Sequence, residues 1–353
     1  MEDITVLLDG VGHRASVRDG VIVDIMRDQR ANPSGAIWTT GFVDMHCHGG
    51  AGYSFDDADA QGINAAVTYH RDHGTTGIVL SLVSASIPQL VHRLHQLRDI
   101  IPATPGALGV HLEGPFLAPG RRGAHDPAAL TPPTPDAVDA LLEAGEGLLR
   151  QVTIAPELPH AITAIDTFVA AGVRVAVGHT EADYTTAAFA FDRGASLLTH
   201  AFNAMPGLGH REPGPVGAAL DREHVTLEVI ADGHHVHPTL IRTLFAAAPN
   251  RIALVTDAMS ATGLGNGEYQ LGGLAVEVRD GKPLLAGTQT LAGSTLTMAR
   301  AVEVAVAAGV TPSEAASAAT STPARALGIG IAPVEPGVAL SELNYVPATT
   351  PVG

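Results

Sequence analysis

Residues 41–50 read GFVDMHCHGG, a stretch that places the only cysteine of this 353-residue chain between two histidines at the end of an apolar run. In a strand, successive side chains point to opposite faces, so His46 and His48 lie on one side and Cys47 on the other. Two imidazoles on one side predict a metal chelate, and Cys47 is expected to pack behind the strand. The alternative is a pair of hydrogen-bonded histidines at a strand end, and ligands from elsewhere in the chain decide between the two.

The same pattern of a short β-rich run, a polar or glycine-rich end and a helical segment recurs along the chain. The predicted strands are 41–48, 74–82, 107–115, 150–157, 172–180, 195–203, 225–235 and 251–259. Strands that alternate with helices predict a parallel sheet, and eight such units close a TIM (β/α)8 barrel. The predicted fold class is therefore α/β, with a TIM (β/α)8 barrel.

The segments outside the barrel also have β character. We predict a small β-sandwich domain built from both termini, with its N-terminal part at 1–40 and its C-terminal part at 328–353, and a barrel at 41–327. A β-hairpin insertion is predicted at about 268–290, with RDGK (279–282) as its turn.

Composition excludes several classes of partner. The chain has 36 acidic and 20 basic residues, a net charge of −16 and no basic run, so we expect no nucleic acid and no anionic membrane as partners. The first residues, MEDITVLLDG, lack the features of a signal peptide, and no 18-residue apolar stretch occurs. With a single cysteine, these features predict a cytoplasmic enzyme. The one lysine, Lys282, lies in a predicted turn, so a metal bridge on a carbamylated lysine is not expected.

Polar residues gather at the C-terminal ends of the predicted strands. They are His46, His48, Glu113, Glu157, His179, His200, Asp232, His234, His235 and Asp257. In a barrel these ends form one face, which carries the catalytic groups. The alternative, that each is only a polar residue leaving a core strand, explains one or two of them better than the whole set.

Five of these residues have the chemistry of a metal site. Glu113, His179 and His200 supply three protein ligands and leave a fourth position open for water. His46 and His48 predict a second ion, with Glu113 bridging the two. We expect one or two divalent ions per chain, zinc first, with iron, cobalt, manganese or cadmium as alternatives.

Asp257 follows the eighth predicted strand, in TDAM (256–259). A carboxylate beside an acidified water can take its proton and pass it to a leaving group, so Asp257 is the predicted catalytic residue. The alternatives for Asp257 are a helix cap and a purely structural ligand.

Six motifs carry a family resemblance: HLEGPF (111–116), GHT (178–180), THAFNAM (199–205), ADGHHV (231–236), TDAM and LAGS (291–294). Together with the HxH, they resemble the N-acetylglucosamine-6-phosphate deacetylase family of the amidohydrolase superfamily, over about residues 35–330. The resemblance implies metal-dependent hydrolysis of the acetamide of N-acetyl-D-glucosamine 6-phosphate to D-glucosamine 6-phosphate and acetate, in amino-sugar catabolism and cell-wall recycling. It also implies that Glu113, His179 and His200 bind the metal and that Asp257 is the general base and acid.

The resemblance further implies a set of substrate contacts, with His235 at the acetamide carbonyl. The set is Ala124, Asn203, Ala204, Arg211, His235, Leu291, Ala292 and Gly293. Loops of this family sometimes reach across a dimer interface, so a homodimer is expected, with Arg211 serving its own or the neighbouring subunit.

A sugar phosphate substrate requires cations near the barrel mouth. Arg121, Arg122 and Arg211 follow the third and sixth predicted strands, and arginine pairs bidentately with phosphate. The alternative for each is a solvated loop arginine.

Rival functions are the galactosamine 6-phosphate epimer as substrate, or another amidohydrolase reaction such as deamination or cyclic-amide hydrolysis. Many cyclic-amide hydrolases use a lysine bridge, which this chain lacks. A non-catalytic scaffold would have lost its ligands, and all are present. His125 and His237 receive no role, and the histidines at 70, 73, 92 and 95 are predicted on helix surfaces.

Overall fold

The computed structural model describes residues 2–8, 10–28, 35–330 and 334–348. Eight parallel strands form one sheet, and each pairs with the next along the chain. Their bounds are Phe42–Cys47, Thr75–Leu82, Ala107–Glu113, Leu149–Ile154, Arg174–Val177, Leu197–Leu198, Thr226–Ile230 and Ile252–Val255. The predicted TIM (β/α)8 barrel is confirmed.

The first and last barrel strands meet at their C-terminal ends. The N–H of His48 donates to the carbonyl of Ala258 at 2.7 Å. The buried carboxylate of Asp44 accepts a hydrogen bond from the Thr256 hydroxyl at 2.5 Å and further bonds from the backbone N–H groups of His46 and Thr256, each at 3.3 Å. The barrel is therefore closed at the end where the predicted ligands lie.

Helices follow most of the strands and cover the outside of the barrel. Within the described residues they are Ala60–Asp72, Ile87–Ala103, Pro135–Ala144, Ala161–Ala170, Tyr184–Asp192, Gly214–Leu220, Pro238–Ala247, Met298–Ala307, Pro312–Ala319 and Ser321–Leu327. The largest buried side chains include Phe116, Phe168 and Phe191, and the main core packs these helices against the strands. None of the helices is both long enough and apolar enough to cross a membrane, in the part of the chain that the structure describes.

A second sheet of five strands is built from both ends of the chain. In spatial order its strands are Asn344–Val346, Ile37–Thr39, Glu2–Leu8, Val11–Arg18 and Val21–Arg27. The C-terminal strand pairs antiparallel with Ile37–Thr39. Residues 1, 9 and 29–34 of the predicted N-terminal part, and residues 331–333 and 349–353 of the predicted C-terminal part, lie outside the described residues. The exact domain boundaries stay a prediction.

The insertion has three strands where we predicted a hairpin of two. They are Gly267–Leu271, Leu274–Arg279 and Lys282–Leu285. Arg279 pairs with Lys282 across the RDGK turn, and Asp280 and Gly281 have the positive φ angles, 51° and 76°, of a type I′ turn. The additional turn lies at Gly272 and Gly273. Side chains of this sheet pack in one cluster with Met259, beside the end of the last barrel strand.

Candidate metal centre and active site

The side chains of four histidines converge on one glutamate at the C-terminal end of the barrel. The Nε2 atoms of His46 and His48 are 3.2 Å apart, and those of His179 and His200 are 3.0 Å apart. Oε1 of Glu113 lies 3.0 Å from Nε2 of both His179 and His200. Oε2 of the same carboxylate lies 3.1 Å from Nε2 of His48. Glu113 therefore stands between two pairs of imidazoles.

The ligand atoms form two groups that share this glutamate. Atoms within 4.8 Å of one another belong to His46, His48, Glu113 and Asp257 in the first group, and to Glu113, His179 and His200 in the second. Imidazole nitrogen and carboxylate oxygen are the donors that zinc and similar divalent ions take in proteins. The donor set, all of it buried, thus fits two divalent ions bridged by Glu113.

Three of these residues have backbone conformations that residues other than glycine rarely adopt. The φ angles of His179, His200 and Asp257 are 46°, 25° and 49°. Positive φ is uncommon outside glycine and clusters at functional sites. At the sixth strand the chain leaves the sheet after Leu198, so the strand is shorter than the predicted 195–203, and His200 is turned towards the barrel axis.

The electrostatics favour ionised carboxylates at the centre. Burial opposes the ionisation of Glu113, but the charge of His46 and the hydrogen bond from His125 hold the pKa of Glu113 well below its usual range. Burial also opposes the ionisation of Asp257, and the hydrogen bond from His48 together with the charge of His46 lowers the pKa of Asp257 from its ordinary value. Both carboxylates are therefore available as ligands or proton acceptors at neutral pH.

Two of the imidazoles are held in place by a hydrogen bond at Nδ1, the ring nitrogen that faces away from the ligand cluster. Nδ1 of His179 donates to the backbone carbonyl of Arg121 at 2.8 Å. Nδ1 of His46 lies 3.0 Å from Oε2 of the buried carboxylate of Glu228. A histidine that donates through Nδ1 presents the lone pair of Nε2 to a metal. The sequence analysis did not select Glu228. A glutamate in the middle of the apolar strand sequence TLEVI was nevertheless a signal for a functional side chain inside the barrel.

His125, which received no role from the sequence, lies in the centre. Its Nδ1 accepts a hydrogen bond from the N–H of Ser84 at 3.1 Å, and its Nε2 is 3.3 Å from Oε2 of Glu113. Burial lowers the pKa of His125 to about 4, so the ring is neutral. Because the backbone N–H can only donate, Nδ1 holds the lone pair and Nε2 carries the hydrogen. The residue lies in a loop rather than at a strand end, so the strand-end pattern gave no signal for it.

A cavity of about 370 Å³ opens beside the ligands. Six of the expected substrate contacts line it, namely Ala124, Asn203, Ala204, His235, Leu291 and Gly293. Ala292 is buried in an apolar cluster instead. Nδ1 of His235 donates to Oδ2 of Asp232 at 2.7 Å, which fixes the orientation of the ring. A Cβ atom on Gly293 would lie 2.9 Å from the carbonyl oxygen of Asp257, so only glycine allows this loop to approach the site so closely.

The three candidate arginines have different positions. Arg121 lines the cavity, whereas Arg122 is exposed and donates to the carbonyl of Pro119. Arg211 is exposed and does not line the cavity of its own chain. Of the three candidate arginines, Arg121 is therefore the one that lines the cavity of its own chain.

Two strand-end or loop residues have structural roles outside the cavity, and a third is exposed to solvent. Glu157 accepts hydrogen bonds from the Thr180 hydroxyl and from the N–H of Glu181. His237 caps the helix Pro238–Ala247 by accepting from the N–H of Thr239. His234 is exposed.

Cys47 points away from the imidazole pair, and its Sγ lies 3.5 Å from Nε2 of His70. The prediction that His70 is a surface residue was wrong. Its side chain is buried, and Nε2 donates to the carbonyl of Gly49 at 2.9 Å. The helix Ala60–Asp72 packs this face against the segment that follows the first barrel strand, which the helical spacing alone did not reveal.

Comparison with known proteins gives the family. Residues 37–338 match the amidohydrolase family. The N-acetylglucosamine-6-phosphate deacetylase of Bos taurus is 38% identical over 86% of this chain and 77% of that protein, and the N-acetylgalactosamine-6-phosphate deacetylase of Escherichia coli O157:H7 is 37% identical over 90% and 85%. An aspartate-to-alanine mutant of the Mycobacterium smegmatis N-acetyl-D-glucosamine-6-phosphate deacetylase, in complex with N-acetyl-D-glucosamine-6-phosphate, superposes with a TM-score of 0.85 at 39% identity, over 96% of this chain and 94% of that one. The chain belongs to the amidohydrolase family and, within it, to the N-acetylglucosamine-6-phosphate deacetylase family.

Proposed function

We propose that this chain hydrolyses the acetamide of N-acetyl-D-glucosamine 6-phosphate, which yields D-glucosamine 6-phosphate and acetate. The observation that carries the proposal is the 34–38% identity to bacterial and mammalian enzymes with this activity in their names, over most of their length. The galactosamine 6-phosphate epimer is the second candidate substrate, because the Escherichia coli relative at 37% identity is named for it.

Glu113, His179 and His200 would hold one divalent ion, and His46 and His48 a second one, with Glu113 shared. Zinc is the proposed ion because it accepts nitrogen and oxygen ligands and leaves a position open. A divalent ion at such a site acidifies water and polarises a carbonyl group.

Asp257 is the proposed general base and acid. Its Oδ1 lies 3.4 Å from Nε2 of His48, and the residue lines the cavity. As an ionised carboxylate, Asp257 can accept a proton from the attacking water and return it to the sugar nitrogen. An amine leaves readily only when it is protonated, so one group that performs both transfers is sufficient.

The hydrogen-bond pattern favours His125 as the group that donates to the acetamide carbonyl. Nε2–H of the neutral His125 ring points to Oε2 of Glu113 at the cavity wall, and it would turn to a substrate carbonyl once that carboxylate holds metal. A neutral imidazole can polarise a carbonyl in this way. His235 was expected at the carbonyl; its Nδ1 donates to Asp232, which leaves Nε2 as the atom that can meet the substrate. His235 stays a proposed substrate contact, since it also lines the cavity.

Arg121 and Arg211 are the proposed phosphate contacts. Arg121 lines the cavity, while the guanidinium of the exposed Arg211 makes no ion pair or hydrogen bond within the described residues. We propose a homodimer in which Arg211 reaches the cavity of the neighbouring subunit. The single cysteine is buried and free, which fits a reducing compartment, so the proposal includes a cytoplasmic location.

Acetate release from both epimers tests the proposal. Protein loaded with zinc should release acetate from N-acetyl-D-glucosamine 6-phosphate with the higher kcat/KM. A higher value for the galactosamine epimer would support the second candidate. No acetate from either sugar phosphate, at full metal content, would contradict both.

A further inference from the structure

A glutamate lies in the barrel interior beneath the metal ligands. Glu228 is on the strand Thr226–Ile230 and has no exposed surface. Glutamate is almost never fully buried unless it is paired. Within the described residues, no lysine or arginine forms an ion pair with it. Its partners are the side chains of His46 and Gln151 and the backbone N–H of His200.

The carboxylate contacts both groups of ligands. Oε2 lies 3.0 Å from Nδ1 of His46 and 3.3 Å from the backbone N–H of His200. Oε1 accepts a hydrogen bond from Nε2 of Gln151 at 2.7 Å. One side chain thus holds the imidazole of a ligand in one group and the main chain of a ligand in the other.

His46 is the ligand that a carboxylate supports from behind. His179 has a neutral carbonyl in the same position. Nδ1 of His48 and Nδ1 of His200 have no hydrogen-bond partner within the described residues. The carboxylate oxygen accepts the hydrogen on Nδ1 of His46, so Nε2, which faces Glu113 and Asp257, is the atom that a divalent ion would take.

We propose that Glu228 is a positioning residue for the second ion site, the one formed by His46, His48, Glu113 and Asp257. It fixes the tautomer and orientation of His46 and adds a negative charge directly behind the ligand. The inference rests on the proposed metal centre. It adds that Glu228 increases the affinity of the second ion site and leaves that of the first site unchanged. A pair of divalent ions carries more positive charge than Glu113 and Asp257 neutralise, so a further buried carboxylate lowers the cost of holding the second ion.

The substitution Glu228→Gln separates charge from shape. A glutamine can direct its carbonyl oxygen to Nδ1–H of His46 and its amide to Gln151. Oε1 of Gln151 has no partner at present, so a rotated Gln151 amide can accept that hydrogen bond. We therefore expect Glu228→Gln to fold, with the same hydrogen bonds and one charge less.

Ion binding is the primary measurement. Protein stripped with a chelator is titrated with zinc in competition with a chromophoric indicator, and bound zinc is counted by mass spectrometry. Wild type should bind two ions. Glu228→Gln should retain the first ion with near wild-type affinity and lose about 10–100-fold in affinity for the second. At limiting cobalt, a smaller fraction of Glu228→Gln than of wild-type protein should contain two magnetically coupled cobalt ions.

Two controls separate positioning from general damage. Val229→Ala removes buried volume from the next residue of the strand, on the opposite face, and should leave both affinities unchanged. In a His46→Ala background, Glu228→Gln should cause no further loss of the second ion, because the two residues act through one contact.

Three outcomes would overturn the inference: an unchanged second-ion affinity in Glu228→Gln, an equal loss at both sites, or a single ion bound by wild type. These measurements do not depend on turnover. A protein that binds both ions as expected but releases no acetate would therefore contradict the proposed function and leave the role of Glu228 standing.

Discussion

Asp257 combines the properties that a proton-transfer group needs. It is ionised, it lines the cavity, and its strained backbone, with φ of 49°, is held by hydrogen bonds to the neighbouring loop. The N–H of Ser294 donates to its carbonyl at 2.7 Å. The position of the carboxylate is thus set by two segments of the chain that are far apart in sequence.

We predict that Asp257→Asn lowers acetate release by about 10²–10⁴-fold, because the amide keeps the size of the side chain but cannot accept the proton. Turnover and bound metal are measured on the same sample, since Asp257 also belongs to a ligand group. Cys47→Ser serves as the control: it lies at similar depth, faces away from the imidazoles and should retain activity. Near wild-type turnover by a fully metal-loaded Asp257→Asn variant would contradict the assignment.

Simple rules predicted part of the site at this scale. Alternation along the first strand placed His46 and His48 together and Cys47 behind them, and the strand-end rule selected Glu113, which the structure places between them and the second imidazole pair. The rules failed for contacts without a local pattern. The partner of His46 is 182 residues away, and His125 reaches the centre from a loop.

At the scale of the element, Asp44 joins the first and last barrel strands. Its carboxylate accepts from the Thr256 hydroxyl and from two backbone N–H groups. Burial raises the pKa of Asp44 to about 6, so the charged form is itself disfavoured, and the hydrogen bonds offset that cost. The closure of the barrel therefore depends more on the hydrogen bonds that the Asp44 oxygens accept than on the negative charge of Asp44.

We predict that Asp44→Ala lowers the free energy of unfolding by roughly 2–4 kcal/mol, because it leaves buried donors without an acceptor. Asp44→Asn should cost less, since its amide oxygen still accepts and the buried charge is gone. Denaturant unfolding in the presence of a chelator measures both variants without a contribution from bound metal. An Ala variant as stable as wild type would show that the strands close without this side chain.

In the insertion, the local sequence predicted one of the two turns and not the other. RDGK predicted its turn, since Asp and Gly tolerate the positive φ of a type I′ hairpin. The turn at Gly272 and Gly273 joins the strands Gly267–Leu271 and Leu274–Arg279, which we had taken as one. The apolar side chains of the first two strands, Leu271, Val276 and Val278, pack in a cluster with Met259, a contact across the fold that no local pattern contains.

At the scale of the whole molecule, the protein and a sugar phosphate are both negatively charged. With a net charge of −16, the chain offers no general attraction to a sugar phosphate, so recognition depends on a few local cations. Arg121 is the arginine that lines the cavity. The exposed Arg211 is available to a second subunit, which would give each cavity an additional cation and make the site depend on assembly.

We predict that two inactive variants restore each other. Arg211→Ala lacks the proposed phosphate contact, and Asp257→Asn lacks the base. In a mixed dimer, the cavity with an intact Asp257 receives Arg211 from the other subunit, so co-expression should yield about a quarter of the wild-type sites if subunits of a symmetric dimer pair at random. With substrate well below the KM of Arg211→Ala, each variant alone should release little acetate, Arg211→Ala because its KM for the phosphorylated sugar is raised. If Arg211 served its own subunit, the mixture would contain no complete site, and activity would stay at the level of the separate variants.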